Sequence, residues 1–146
     1  MAATVSADCP CGRRDSAGRS LSYKQCCGRY VPAFDSTPAP DAQALMRSRY
    51  SAFVLERADY LLATWHASTR PPDLAPQPGV KWLGLEVKQH TLIDADHAEV
   101  EFVARLREAS GRAVRLHERS RFVREGGRWF YLDGDQRPSK TDRKAA

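Results

Sequence analysis

HAEVEFVARLREASGRAVRLHERSRFVREGGRWFYLDG, residues 97–134, decides the fold. Apolar and charged residues alternate along three runs, 97–108, 113–125 and 128–134. That is the period of a strand with one covered face. Ala109, Ser110 and Gly111 read as a three-residue hairpin loop with Gly111 in the left-handed region, and Gly126-Gly127 as a two-residue turn. The first loop sets a register. Glu108 faces Arg112, Glu101 faces Arg119 and Glu99 faces Arg121, so opposite charges pair on one side. The other side pairs Leu106 with Val114, Ala104 with Leu116, Phe102 with Glu118 and Val100 with Ser120. A one-residue slip scrambles both sets. The second turn sets Val123 against Phe130, Phe122 against Tyr131 and Ser120 against Asp133. The expectation is an antiparallel meander with an apolar concave face and a charged outer face. Glu118, Ser120 and Asp133 are out of place on the apolar side.

Upstream, VKWLGLEVKQHTLI, residues 80–93, reads as one more strand, with Trp82, Gly84 and Glu86 on one face. Before it the period is helical. DAQALMRSRYSAFVL, residues 41–55, spaces Leu45, Met46, Arg49, Tyr50 and Phe53 along one helix, with Asp41 as its N-cap. Tyr60, Leu61, Leu62 and Trp65 mark a second, short helix ending near His66, before the turn-rich STRPPDLAPQPG. Helices followed by strands in series indicate an α+β domain. The 146 residues hold one such domain and a short appendage. The expected divisions are a flexible leader 1–8, a cysteine segment 9–30, a proline-rich linker or wrap 31–40, the α+β domain 41–135 and a flexible tail 136–146.

All four cysteines fall in the appendage, as Cys9, Cys11, Cys26 and Cys27. Four thiolates suit a tetrahedral Zn2+ site, and a sulfur-only site is closed and structural. Pro10 and Gly12 allow the sharp turn that brings Cys9 and Cys11 to one ion, and Gly28 lets the chain leave at an unusual angle. Crossed disulfides and free thiols are the other readings. Pairing of adjacent cysteines is strained, and iron–sulfur clusters commonly use wider spacing. The segment carries Arg13, Arg14, Arg19, Lys24 and Arg29 against Asp15 alone.

CPCG and SYKQCCGRY resemble the SEC-C motif, a zinc knuckle also found at the C-terminus of the SecA translocation ATPase. GRR stands where the motif usually has a GSG turn, and the connecting loop is longer. ALMRSRYSAFVLERADYLLATWHASTRP and LHERSRFVREGGRWFYLDGD resemble the YchJ family of SEC-C proteins. The resemblance implies a nuclear-transport-factor-2-like (NTF2-like) cone, with helices packed on a strongly curved antiparallel sheet behind the knuckle. Some relatives carry a second knuckle at the C-terminus; this chain ends in SKTDRKAA, without cysteine. The resemblance brings no biochemical role with it.

A cone encloses a cavity, and cavities with a few polar groups on apolar walls bind ligands. The candidates are Glu118, Ser120 and Asp133 from the sheet, Tyr50, Trp65 and His66 from the helices, and Trp82 with Glu86 from the first strand. The aromatic candidates, with Trp129, also read as core. A carboxylate on an apolar face needs a partner. It either pairs with Arg47, Arg49 or Arg70, or serves as an acid or base with His66. In MRSRY the two arginines cannot share a helix face, so one points inward and the other to solvent.

Net charge of +5 favours anionic partners weakly. No run of about 18 apolar residues suited to a bilayer exists, and the start has no secretory signature, so the expected location is the cytoplasm. No Ser-His-Asp spacing, HExxH helix, Walker loop or dinucleotide fingerprint occurs, so no catalytic residue can be named. The expected function is that of a binding or adaptor protein whose knuckle docks on a protein or ribonucleoprotein partner. The alternative is an enzyme or small-molecule binder working in the cone. Nucleic acid is supported weakly, because Tyr23 and Tyr30 are the only stacking residues near the cysteines.

Overall fold

A computed structural model describes residues 8–74 and 78–136. The expected flexible leader and tail lie almost entirely outside the described residues. Two helices, α1 (Ala42–Val54) and α2 (Ala58–Ala63), precede four strands, β1 (Lys81–Asp94), β2 (His97–Arg107), β3 (Ala113–Glu125) and β4 (Arg128–Gln136). Asp41 caps α1, its carboxylate accepting from the Ala44 N–H at 2.7 Å. The sheet runs β1-β2-β3-β4, antiparallel throughout, in an α+β arrangement of helices on a curved sheet.

Between β2 and β3 every pair read from the charge pattern is present, from Glu99 opposite Arg121 to Leu106 opposite Val114. Gly111 takes the left-handed conformation (φ 94°) that the loop needs. The departures are bulges. In β4, Leu132 is an extra residue, so Phe122 faces Tyr131 but Arg121 faces Asp133 and Ser120 faces Gly134. The expected Ser120–Asp133 pair is therefore replaced, and Asp133 turns to the outer face. In β1, Leu83, Lys88 and Ile93 are extra in the same way. The first of them puts Glu86 on the face opposite Trp82. Each bulge bends its strand and adds twist, and together they curl the sheet around α1.

α1 is covered on two sides. Tyr50 meets Trp82 of β1 edge-to-face at 5.6 Å, while on the other flank Arg47 Nη1 donates to the Cys11 carbonyl at 3.1 Å. Ser48, Ser51 and Ala52 are completely buried, and these small side chains let both neighbours approach the helix closely. One continuous core joins the four cysteines to Leu45, Tyr60 and Phe122. Residues 31–40 run along this core. Val31 is fully buried, Phe34 lies edge-on to Tyr60, and the Arg128 guanidinium donates to the carbonyls of Phe34 and Asp35. Past α2 the chain lies against β4, with Tyr131 N–H donating to Thr64 O at 2.8 Å and His66 N–H to Tyr131 O at 2.7 Å.

Burial makes the fold sensitive to alkali. Desolvation pushes the Tyr50 and Tyr60 phenols up to about 12. An unfolded tyrosine ionises near ~10. Below that value both states hold the proton and stability is full. Above it the unfolded state loses its proton first, so stability falls until the folded phenols ionise. Unfolding free energies measured by urea titration from pH 8 upward should decline beyond about pH 10, by on the order of 2 kcal/mol for each tyrosine. Tyr60→Phe should flatten that decline, and an unchanged slope in this variant would count against the assignment.

Candidate functional site

The cysteine module is built from turns. Cys9 N–H donates to Leu21 O at 2.9 Å, and Gly12, at φ 76°, closes a turn back to the Cys9 carbonyl. Short 3-10 turns at Tyr23–Gln25 and Cys27–Arg29 bracket Cys26, whose backbone (φ −124°, ψ −113°) breaks the helical path and lets adjacent cysteines aim at one point. The longer loop is a small hairpin. Its turn is organised by Asp15, which accepts from the Ala17 and Arg19 N–H groups at 2.9 Å. Gly28 is needed for a reason other than its exit angle. A Cβ there would lie 2.6 Å from the Tyr23 carbonyl oxygen and 2.9 Å from its ring.

The four Sγ atoms lie within 4.8 Å of one another, and all four cysteines are buried and free of disulfides. Cys11 and Cys26 sulfurs are 3.6 Å apart and those of Cys26 and Cys27 4.0 Å. A tetrahedron with metal–sulfur bonds of about 2.3 Å has edges of about 3.8 Å. A disulfide needs about 2.05 Å. The donor set and its spacing therefore fit a tetrahedral thiolate metal site. The four thiols strongly influence one another's ionisation. Hydrogen bonds from Cys11 stabilise the Cys9 thiolate, and those from Cys26 and Cys27 bring Cys11 down to about 7. The neighbouring Cys11 in turn pushes Cys26 and Cys27 well up. Four sulfurs this close cannot all ionise without a cation among them. Beyond the ligands, the Ser51 hydroxyl lies 3.5 Å from the Cys9 sulfur, the position of an outer hydrogen bond to a metal thiolate.

The second site is a cavity of about 400 Å³ between the sheet, α1 and α2. Tyr50, Trp65, Trp82, Glu118 and Ser120 line it. His66 and Asp133 do not. His66 binds Glu125 through Nε2 at 2.8 Å and Ser68 through Nδ1 at 2.7 Å. Asp133 accepts from Arg121 Nε at 2.6 Å on the outer face, where Glu86 also lies, paired with Lys88. No acid–base pair of His66 with Glu118 or Asp133 exists, because the bulge at Leu132 and the strand-like path of residues 64–66 carry these groups away from one another. Glu118 is held by Ser120 Oγ at 2.7 Å, Tyr131 OH at 3.2 Å and Gln136 Nε2 at 2.9 Å. Gly134 leaves the space its carboxylate occupies; a Cβ there would collide with it.

Two cavity groups escaped the sequence reading as site residues. Arg49 was visible only as a counter-ion for a carboxylate, yet it reaches the cavity without forming an ion pair among the described residues. Tyr131 was readable as a concave-face residue from its pairing with Phe122. Its role as a donor to Glu118 depends on the bulge beside it. Of the two arginines in MRSRY, Arg49 points inward as expected, while Arg47 turns to the cysteine module rather than to solvent.

Comparison with known proteins agrees with this architecture. Residues 41–134 match the family described as YchJ, middle NTF2-like domain. A UPF0225 protein of Polaromonas sp. (strain JS666) is 68% identical over 131 residues, covering 90% of this chain and 94% of that one. A UPF0225 protein of Bordetella pertussis is 57% identical over 132 residues, covering 90% and 94%. The solution structure of a SEC-C motif containing protein from Rhodopseudomonas palustris superposes with a TM-score of 0.73 at 32% identity, over 88% of this chain and 98% of that one. Among the described residues no helix is long and apolar enough to cross a membrane.

Proposed function

The chain belongs to the YchJ (UPF0225) family, and from that premise we propose that it is a docking protein whose cysteine module, closed around Zn2+, presents a basic surface to a protein or ribonucleoprotein partner. The observation that carries this reading is the pairing of a buried sulfur-only centre with an exposed basic shell. Four ligating sulfurs leave no position for water or substrate, so the metal serves shape rather than chemistry. Around it Arg13, Arg14, Arg19, Lys24 and Arg29 are all exposed. The module's lone acid, Asp15, is occupied by its hairpin turn and by an ion pair to Arg19 at 3.4 Å. Four thiolates and a dication contribute a charge of about −2, so the surface stays basic when the metal is bound. Likeness to a SEC-C motif containing protein supports the same assignment.

The module is anchored to α1, so a partner that docks on it meets a rigid platform. The test is a pull-down with wild type and a triple variant, Arg13→Glu, Arg14→Glu and Lys24→Glu, each checked for stoichiometric zinc. Partner recovery should fall at least tenfold in the variant and decline with salt. Equal recovery from two zinc-loaded proteins would remove the basis for the proposal.

A further inference from the structure

The cone cavity has a separate capability. We propose that it binds a small, largely apolar organic monoanion, an aromatic carboxylate, with the Arg49 guanidinium as its anchor. Arg49 enters from α1 and is only 6% exposed. Its Nη1 donates to Leu61 O and Thr64 Oγ1, both at 2.8 Å, which fixes one edge of the group. Its planar face is held between Tyr131, at 4.6 Å, and Trp65, at 5.1 Å. The Nε and Nη2 hydrogens find no acceptor among the described residues, and the side chain borders the cavity. A guanidinium offers a fork that matches a carboxylate. Here one arm of it is immobilised and the rest is left open. Burial lowers its ionisation only to about 10, so the charge persists at neutral pH.

A buried cation is destabilising unless it is paired. Glu118 shares the cavity but is not its contact partner, since Ser120, Tyr131 and Gln136 already hold that carboxylate. Trp65, stacked against Arg49, carries an unmet donor of its own. Trp65 Nε1 is the one buried side-chain nitrogen or oxygen without a partner among the described residues. The open edge of the guanidinium, bordering the cavity, asks for an oxygen acceptor that carries negative charge.

The remaining walls define the rest of the ligand. Phe53, Trp82, Phe102, Leu106 and Leu116 are apolar, and the volume of about 400 Å³ lies in the range of small-ligand pockets. Glu118 selects against a second negative charge, so a dianionic phosphate ester fits worse than a carboxylate. Trp82 and Tyr131 in the lining favour a flat ring.

The test uses the full, zinc-loaded chain and two probes of the same shape, 2-naphthoate and the neutral 2-naphthamide. Calorimetric titration should show the carboxylate binding at least tenfold more tightly. In proton–nitrogen correlation spectra the Trp65 indole signal should move on titration with it, as a charged group seats on the guanidinium stacked against its ring. Arg49→Met should abolish the preference for charge while leaving amide binding within twofold. Wild type alone can decide the matter if that variant misfolds. Equal affinities for the two probes, no binding of 2-naphthoate at millimolar concentration, or shifts confined to the cysteine module would each overturn the assignment. None of these results depends on whether the basic shell recruits a partner.

Discussion

Reduced, zinc-loaded protein treated with a strong chelator will melt as a whole at a temperature roughly 10–15 °C lower, rather than shedding its N-terminal module alone. The module has too few residues to keep a core without a metal. Free zinc at a thousand times its dissociation constant contributes about 4 kcal/mol to the folded state. In a chain of this length each kcal/mol shifts the midpoint by about 3 °C. The loss spreads because the module is part of the main core. The Cys11 carbonyl receives Arg47, the Cys9 sulfur sits against Ser51, and the four cysteines pack in one cluster with Leu45 and Tyr60. Removing the metal leaves α1 covered on one side only. Scanning calorimetry with and without chelator, in the presence of a non-thiol reductant, checks this. A low-temperature step followed by an unshifted main transition would show that the two parts fold independently.

Phe122→Ala should destabilise the protein by about 3 kcal/mol, at the lower end of the range for a buried phenylalanine. Phe122 is 2% exposed, and its ring lies edge-on to Tyr131 at 5.8 Å. It also borders the existing cavity, so one side of the ring already lacks packing partners and fewer contacts are lost on truncation. The lost aromatic contact accounts for about 1 kcal/mol of the total. Urea titration should show a lower midpoint at unchanged slope. A loss under about 1 kcal/mol would mean that the cavity wall is not packed as described.

Much of this was legible in one dimension. The helix start at Asp41, the Gly111 loop, the β2–β3 register and the cluster of four cysteine sulfurs follow from residue type and spacing over short stretches. The concave placement of Glu118 and Ser120 follows too, because period two propagates from a turn whose length is known. The parity then failed at Leu83 and at Leu132, where one inserted residue turned Glu86 and Asp133 outward. Neither insertion has a marker of its own in the sequence, since a leucine in a bulge looks like a leucine in a ladder. His66 was misplaced for a related reason: the chain past α2 joins the sheet edge instead of ending at the cavity.

Residue chemistry and local spacing alone determined the cysteine cluster able to hold a metal, the element order and the charge-paired register, because each rests on interactions between residues close along the chain or fixed by one turn. Only tertiary structure decided that the module clamps α1, that the strand after Leu132 changes face, and that Arg49 rather than His66 shares the cavity with Glu118. Those outcomes depend on how a sheet must bend to close over a helix, and that curvature belongs to the assembled layers rather than to any one segment.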